Sequence, residues 1–162
     1  MRAFAQPTVQ VMTIDDLNVC WALDQRCFED GEAYDRETFK YLLESRQTCA
    51  FKLNTSGGGM GGFVVSMVEP DNTGHIITLG VAPECRRRGY ARWLMCEVEK
   101  ALSKRNVNLV RLEVRITNHA AIKLYENLGY TRVERLPIYY TNGDDGYLMV
   151  KGLEPQEYQK IR

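Results

Sequence analysis

The sequence predicts an α/β fold in which helices cover a mixed sheet, and three observations carry that expectation. Residues 89–104 place Ala91, Leu94, Met95, Val98, Ala101 and Leu102 at helical spacing. Residues 107–116 alternate strictly, with Val110, Leu112, Val114 and Ile116 on one face and Arg111, Glu113 and Arg115 on the other. A helix-capping Asn118 then follows at once, so strand and helix alternate through the second half of the chain.

Each element has a local reason. Residues 8–12 (TVQVM) alternate and read as a short strand. Thr13 opens T-I-D-D, close to a capping box, and a helix is expected to run to about Phe28. Residues 29–34 (EDGEAY) form an acidic turn, and Asp35 caps a second helix bearing Phe39, Leu42 and Leu43. Residues 48–53 (TCAFKL) and FVVSMV read as strands joined by the glycine-rich turn 54–62. That turn resembles a phosphate loop in composition only, since neither a Lys-Ser/Thr ending nor a helix follows it. After the turn EPDNTG comes a strand from His75 to Val81, ended by Pro83. The helix of 89–104 and the strand of 107–116 are next, then a helix from Asn118 through Leu128 with Gly129 at its C′ position. Two last strands, Tyr130 to Tyr140 and Tyr147 to Leu153, flank the turn TNGDDG. The expected order is β-αα-βββ-α-β-α-ββ.

Composition narrows the function classes. A chain of 162 residues with 44% hydrophobic and 26% charged residues suits one domain spanning 1–162 and excludes disorder. Lys plus Arg equals Asp plus Glu at 21 each, which lacks the basic footprint of a nucleic-acid binder. No apolar run approaches the ~20 residues of a membrane span, and no secretory signal is read before Asp15 and Asp16. Cys20, Cys27, Cys49, Cys85 and Cys96 are odd in number and include no C-x-x-C pair. With only His75 and His119 beside them they suggest neither a metal site nor a disulfide framework, and reduced thiols in the cytoplasm are expected.

The segment 81–94, VAPECRRRGYARWL, carries the chemistry. A strand ends, a short turn follows, and R-x-x-G-x-A from Arg86 to Ala91 opens an amphipathic helix. The first turn of a helix offers N–H groups without intrahelical partners and a positive dipole end, so it suits an anion. Gly89 and Ala91 permit close approach, and Arg86, Arg87 and Arg88 add charge. A solvated arginine run before an ordinary helix is the alternative for this segment alone.

IITLGVAPECRRRGYARWLM together with LEVRITNHAAIKLYENLGY resembles the GNAT superfamily of acetyl-CoA-dependent N-acetyltransferases, from about Thr8 to Leu153. The second segment and the ending YYTNGDDGYLM resemble ribosomal-protein alanine N-acetyltransferases and archaeal N-terminal acetyltransferases. The resemblance implies a mostly antiparallel central sheet of about seven strands flanked by four helices. It implies acetyl-CoA as co-substrate and no metal. Leu79, Gly80 and Val81 would face the pantetheine arm. Arg86, Arg87, Arg88, Gly89, Tyr90, Ala91 and Arg92 would wrap the pyrophosphate, and Asn118 would contact the cofactor. Glu113 would be the base and Tyr125 the acid. Phe28, Glu32, Tyr139 and Tyr140 would line the acceptor groove. The implied acceptor is a protein N-terminal α-amine, a ribosomal protein among the candidates, served by a monomer or homodimer. The chain departs from the pattern at Leu136-Pro137-Ile138, where a basic residue commonly precedes the tyrosines, and at CFEDGEAYD. Both segments bear on the acceptor.

Without the resemblance these residues have structural readings. Glu113 between two arginines suits a cross-strand ion pair, Tyr125 with Ala121 and Leu128 suits a core face, and Asn118 suits a simple cap. Tyr139 and Tyr140 are expected to alternate along a strand. Transfer to a lysine or a small amine, a non-catalytic acyl-CoA-binding domain, and nucleotide binding at the glycine-rich turn are the competing functions.

Overall fold

A computed structural model of the chain describes residues 7–28 and 32–154. Among these residues seven strands form one sheet: β1 (Val9–Val11), β2 (Thr48–Asn54), β3 (Met60–Val68), β4 (Gly74–Val81), β5 (Leu109–Arg115), β6 (Thr131–Leu136) and β7 (Gly146–Gly152). Four α-helices accompany them: α1 (Leu17–Cys27), α2 (Arg36–Glu44), α3 (Tyr90–Lys104) and α4 (His119–Asn127). The strand order is β1-β2-β3-β4-β5-β7-β6, and every neighbouring pair is antiparallel except β4 with β5. No helix among the described residues is long and apolar enough to cross a membrane.

The expected caps hold the helices in place. Thr13 and Asp16 close a capping box, but the first turn they open is a 3-10 turn, Ile14–Asp16, and the α-helix starts only at Leu17. Asp35 Oδ1 accepts from Thr38 N at 2.8 Å at the start of α2. Asn118 Oδ1 accepts from Ala121 N at 3.2 Å at the start of α4. The glycine-rich segment is a hairpin turn, closed by Thr55 N donating to Gly59 O at 2.7 Å.

Two buried clusters lie against the sheet. Leu94, Met95, Val98 and Leu102 of α3 pack on Val110, Leu112 and Val114 of β5 and on Ile122 and Tyr125 of α4. Leu17, Cys20 and Leu23 of α1 and Phe39 and Leu42 of α2 pack on Phe63 and Val65 of β3. This second packing explains Gly80. A Cβ built there would stand 2.7 Å from the Phe63 ring and 3.2 Å from Cys27 Sγ, so a side chain would displace a core aromatic.

One expectation fails at the end of the chain. The strand expected over 130–140 stops at Leu136, and Tyr139 and Tyr140 lie on the turn beyond it. Pro137 has no N–H to continue the ladder. Ile138 then adopts a left-handed φ of 50°, which a β-branched residue rarely does. The Asp145 carboxylate holds that turn, with Oδ1 accepting from Ile138 N at 2.8 Å and Oδ2 from Arg135 Nε at 2.8 Å.

Candidate active site

The site begins where β4 and β5 part. Their register covers only Gly74↔Val110 and His75↔Arg111, although β4 continues to Val81 and β5 to Arg115. A bulge accompanies the parting. Val65 pairs with Thr78 and Ser66 with Ile76, so Ile77 has no partner on β3. Among the described residues, the edge of β4 turned away from β3 has no strand beside it from Ile77 to Val81. An extended chain bearing amides can pair with such an edge.

The anion-binding segment sits at the far end of that edge. Pro83–Cys85 make a single 3-10 turn, and Arg87 and Gly89 take left-handed φ values of 63° and 78°. Gly89 is the N-cap of α3, so the unpaired N–H groups of the first turn open outward. Arg86, Arg87, Arg88 and Arg92 are exposed, and none makes an ion pair among the described residues. Arg86 folds back, its Nε donating to Val81 O at 3.2 Å. Leu79 and Val81 are half-buried on β4, with Tyr90 half-buried behind the loop. Free N–H groups, left-handed backbone and the exposed guanidinium groups of Arg87, Arg88 and Arg92 fit a pyrophosphate.

On the other side of the gap stand the acid-base candidates. Glu113 projects from β5 with both oxygens occupied. Its Oε2 lies 2.6 Å from His75 Nε2, and its Oε1 accepts from Arg111 Nη1 at 2.9 Å. The ion pair expected of Glu113 therefore exists, and a histidine from β4 joins it. The sequence reading missed His75, because only the fold brings residues 75 and 113 together. The register opposite Arg111 is the signal that places it. Tyr125 is buried at the T-shaped contact with Tyr130, ring centres 5.9 Å apart. Burial, and next the Glu32 carboxylate, push its phenol well above the usual tyrosine range. It is thus a core residue and also close enough to the acceptor side to feel Glu32.

The acceptor candidates gather around Arg115. Its guanidinium forms ion pairs with Glu32 and with Asp144 Oδ2, the latter at 3.1 Å, and lies 4.7 Å from the centre of the Tyr140 ring. Tyr139 and Tyr140 meet edge to face with centroids 5.1 Å apart. Burial, and next the Glu113 charge, raise the Tyr139 phenol, while burial and Glu32 raise that of Tyr140. Tyr34, also missed in the sequence, donates through its hydroxyl to Ile77 O at 3.5 Å, and its N–H donates to Asp24 Oδ2 at 2.8 Å. Phe28 caps α1 half-buried against the α1/α2 cluster. Of the acidic turn, Glu32 is committed to Arg115, and Glu29 and Asp30 lie outside the described residues. Asn118 is engaged as a cap, which leaves its amide N–H2 for another partner.

A parallel pair that splays around a bulge, a candidate anion loop at the strand end and candidate acid-base side chains across the gap suit acyl transfer. Residues 15–130 match the model of the Acetyltransferase (GNAT) family. The chain belongs to that family. It is 30% identical over 151 residues to N-alpha-acetyltransferase daf-31 of Caenorhabditis elegans, covering 90% of this chain and 82% of that one. It is 40% identical over 81 residues to an N-alpha-acetyltransferase of Saccharolobus solfataricus, covering 49% of this chain and about half, 48%, of the relative. The ribosomal-protein-S18-alanine N-acetyltransferase of Escherichia coli superposes with a TM-score of 0.82 at 28% identity, over 92% of this chain and 95% of that one.

Proposed function

We propose that this protein is an acetyl-CoA-dependent N-acetyltransferase acting on protein N-terminal α-amines. The observation that carries the reading is the gap between β4 and β5, with the anion loop at one end and the His75–Glu113 pair facing it. Names of relatives support the acceptor class.

Acetyl-CoA supplies the acetyl group as a thioester. The chain's own residues do the rest. Arg86 to Arg92 hold the phosphates, and the free edge of β4 aligns the arm. Glu113 and His75 remove a proton from the acceptor ammonium, so its nitrogen lone pair is free to attack. Tyr125 gives a proton to the departing thiolate. An α-amine titrates near ~8 and a lysine near ~10.4, so a moderate base suffices for the first and not for the second. Tyr139, Tyr140 and Tyr34 line the acceptor's path, and the Arg115 pairs join its two sides. The five cysteines carry no disulfide, which suits a cytoplasmic enzyme.

The test uses two peptides of one sequence and mass spectrometry after incubation with acetyl-CoA. One has a free α-amine; the other has that amine blocked and a lysine exposed. The first is expected to gain one acetyl group and the second none. Preferential acetylation of the lysine would overturn the N-terminal assignment.

A further inference from the structure

Tyr34 is gripped at its backbone by two consecutive residues of α1. Its N–H donates to Asp24 Oδ2 at 2.8 Å, and its carbonyl accepts from Gln25 Nε2 at 2.8 Å. The ring stands edge-on to Phe39 of α2 with centroids 6.1 Å apart, and Phe39 stands edge-on to Phe63 of β3, also at 6.1 Å. The hydroxyl reaches Ile77 O of β4 at 3.5 Å. Backbone, ring and hydroxyl are thus held by three different elements, although Tyr34 itself lies outside every helix and strand.

Asp24 makes a second contact. It is fully buried, and its Oδ1 accepts from Thr78 Oγ1 at 3.4 Å. Ile77 and Thr78 are the bulge where β4 leaves its regular register: Ile77 has no partner on β3, and Thr78 is the first paired residue beyond it. A carboxylate accepts at both oxygens, so one side chain ties Tyr34 to the bulge. Bulges re-aim the side chains around them. Burial, then Tyr139 and the Glu113 carboxylate, hold the Tyr34 phenol above the usual tyrosine range, so the phenol faces the same space as those two groups.

We propose that Asp24 is a positioning residue for the acceptor: its buried carboxylate fixes Tyr34 against the β4 bulge, so that the phenol meets an incoming N-terminus at a set distance from the free edge of β4. The role rests on the reading of Tyr34 as a wall of the acceptor's path. Removing the carboxylate takes the acceptor away from the Tyr34 N–H and from the Thr78 hydroxyl together, and Tyr34 loses its tie to the strand.

Asp24→Ala removes both contacts. It is expected to raise the KM of the free-α-amine peptide by ~10-fold or more, with kcat changed far less and the acetyl-CoA-induced rise in Tm unchanged. Asp24→Asn can still accept from Tyr34 N and donate to Thr78 Oγ1, so it should restore the KM. A residue that served stability alone would lower Tm in Asp24→Ala without moving KM. A double-mutant cycle tests the route: Tyr34→Ala itself raises the peptide KM, and in that background Asp24→Ala should add nothing. A second measurement needs no variant: in the parent protein the Tyr34 amide should exchange hydrogen as slowly as the amides of α1. The parent KM in folded Asp24→Ala, no rescue by Asp24→Asn, a further rise with Tyr34 absent, or a Tyr34 amide that exchanges as fast as an exposed one overturns the proposal and leaves the acceptor reading standing. The parent KM in Tyr34→Ala overturns Tyr34's place in the acceptor's path and Asp24's role with it. No acetylation of the peptide by the parent protein overturns the proposed function and both roles.

Discussion

Arg115 and Tyr140 are stacked, the guanidinium carbon 4.7 Å from the ring centre. The same guanidinium reaches Glu32 from the α1–α2 loop and Asp144 from the β6–β7 loop, so one strand residue joins both sides of the proposed acceptor groove. Its Nε and Nη2 are both buried and make no directed hydrogen bond among the described residues, so Glu32 holds the guanidinium as an ion pair. Arg115→Met keeps much of the stem's packing and removes the charge. Removing one member of a buried ionic cluster costs on the order of 3 kcal/mol. The expected kinetic result is a peptide KM raised at least ~10-fold with acetyl-CoA binding unchanged, as for a lost binding contact. Steady-state kinetics and a thermal-shift assay check both.

Tyr125→Phe keeps the packing against Tyr130 and deletes the hydroxyl. A lost general acid costs ~100-fold or more in kcat. The loss is expected to shrink when the thioester is replaced by one with a more acidic leaving thiol, which needs less protonation. Equal losses with both donors would assign Tyr125 to the core alone.

Ile138 is 75% exposed and sits at a φ of 50°. A left-handed conformation costs a residue with a Cβ about 1–2 kcal/mol, least for Asn. Ile138→Asn relieves strain and forfeits little burial, and its N–H still reaches Asp145. Tm is expected to rise by about 2–4 °C for a chain of this size. Differential scanning calorimetry gives the answer, and a fall in Tm would show that the side chain stabilises the turn.

Asp24 is fully buried on α1, accepting from Tyr34 N at 2.8 Å and from Thr78 Oγ1 at 3.4 Å. Burial pushes its carboxyl up to about 6, against the opposing pull of those two donors. A folded-state value above the unfolded one means that the folded protein binds the extra proton. Asp24's contribution is therefore fully present below about pH 4 and is lost as pH rises through about 6, a difference on the order of 3 kcal/mol. Asp24→Asn should flatten that part of the stability curve and gain relative to the parent protein above pH 6. Urea melts at pH 4, 5, 6 and 7 measure it.

The sequence revealed most of the elements because their signals are local. The helical period of α3, the alternation of β5 and the caps at Thr13, Asp35 and Asn118 all lie within one window each. The anion loop was legible for the same reason, since Arg86 to Ala91 is continuous in the chain. The acid-base cluster was half legible. Glu113 carried a motif, whereas His75 gained meaning only when register set it beside Arg111. Tyr139 and Tyr140 were placed on a strand because alternation was extended past Pro137, and the left-handed Ile138 that turns the chain has no side-chain signature.

The two register pairs between β4 and β5 have a mechanical consequence. Among the described residues they are the only strand hydrogen bonding that stitches β1–β4 to β5–β7, so the sheet has a built-in seam. A ligand lying along the free edge of β4 would occupy the place of the absent ladder. Bound substrate would then be part of the protein's cohesion, and amide hydrogen exchange on β4 and β5 should slow together when the seam is filled, while β1 and β2 change little.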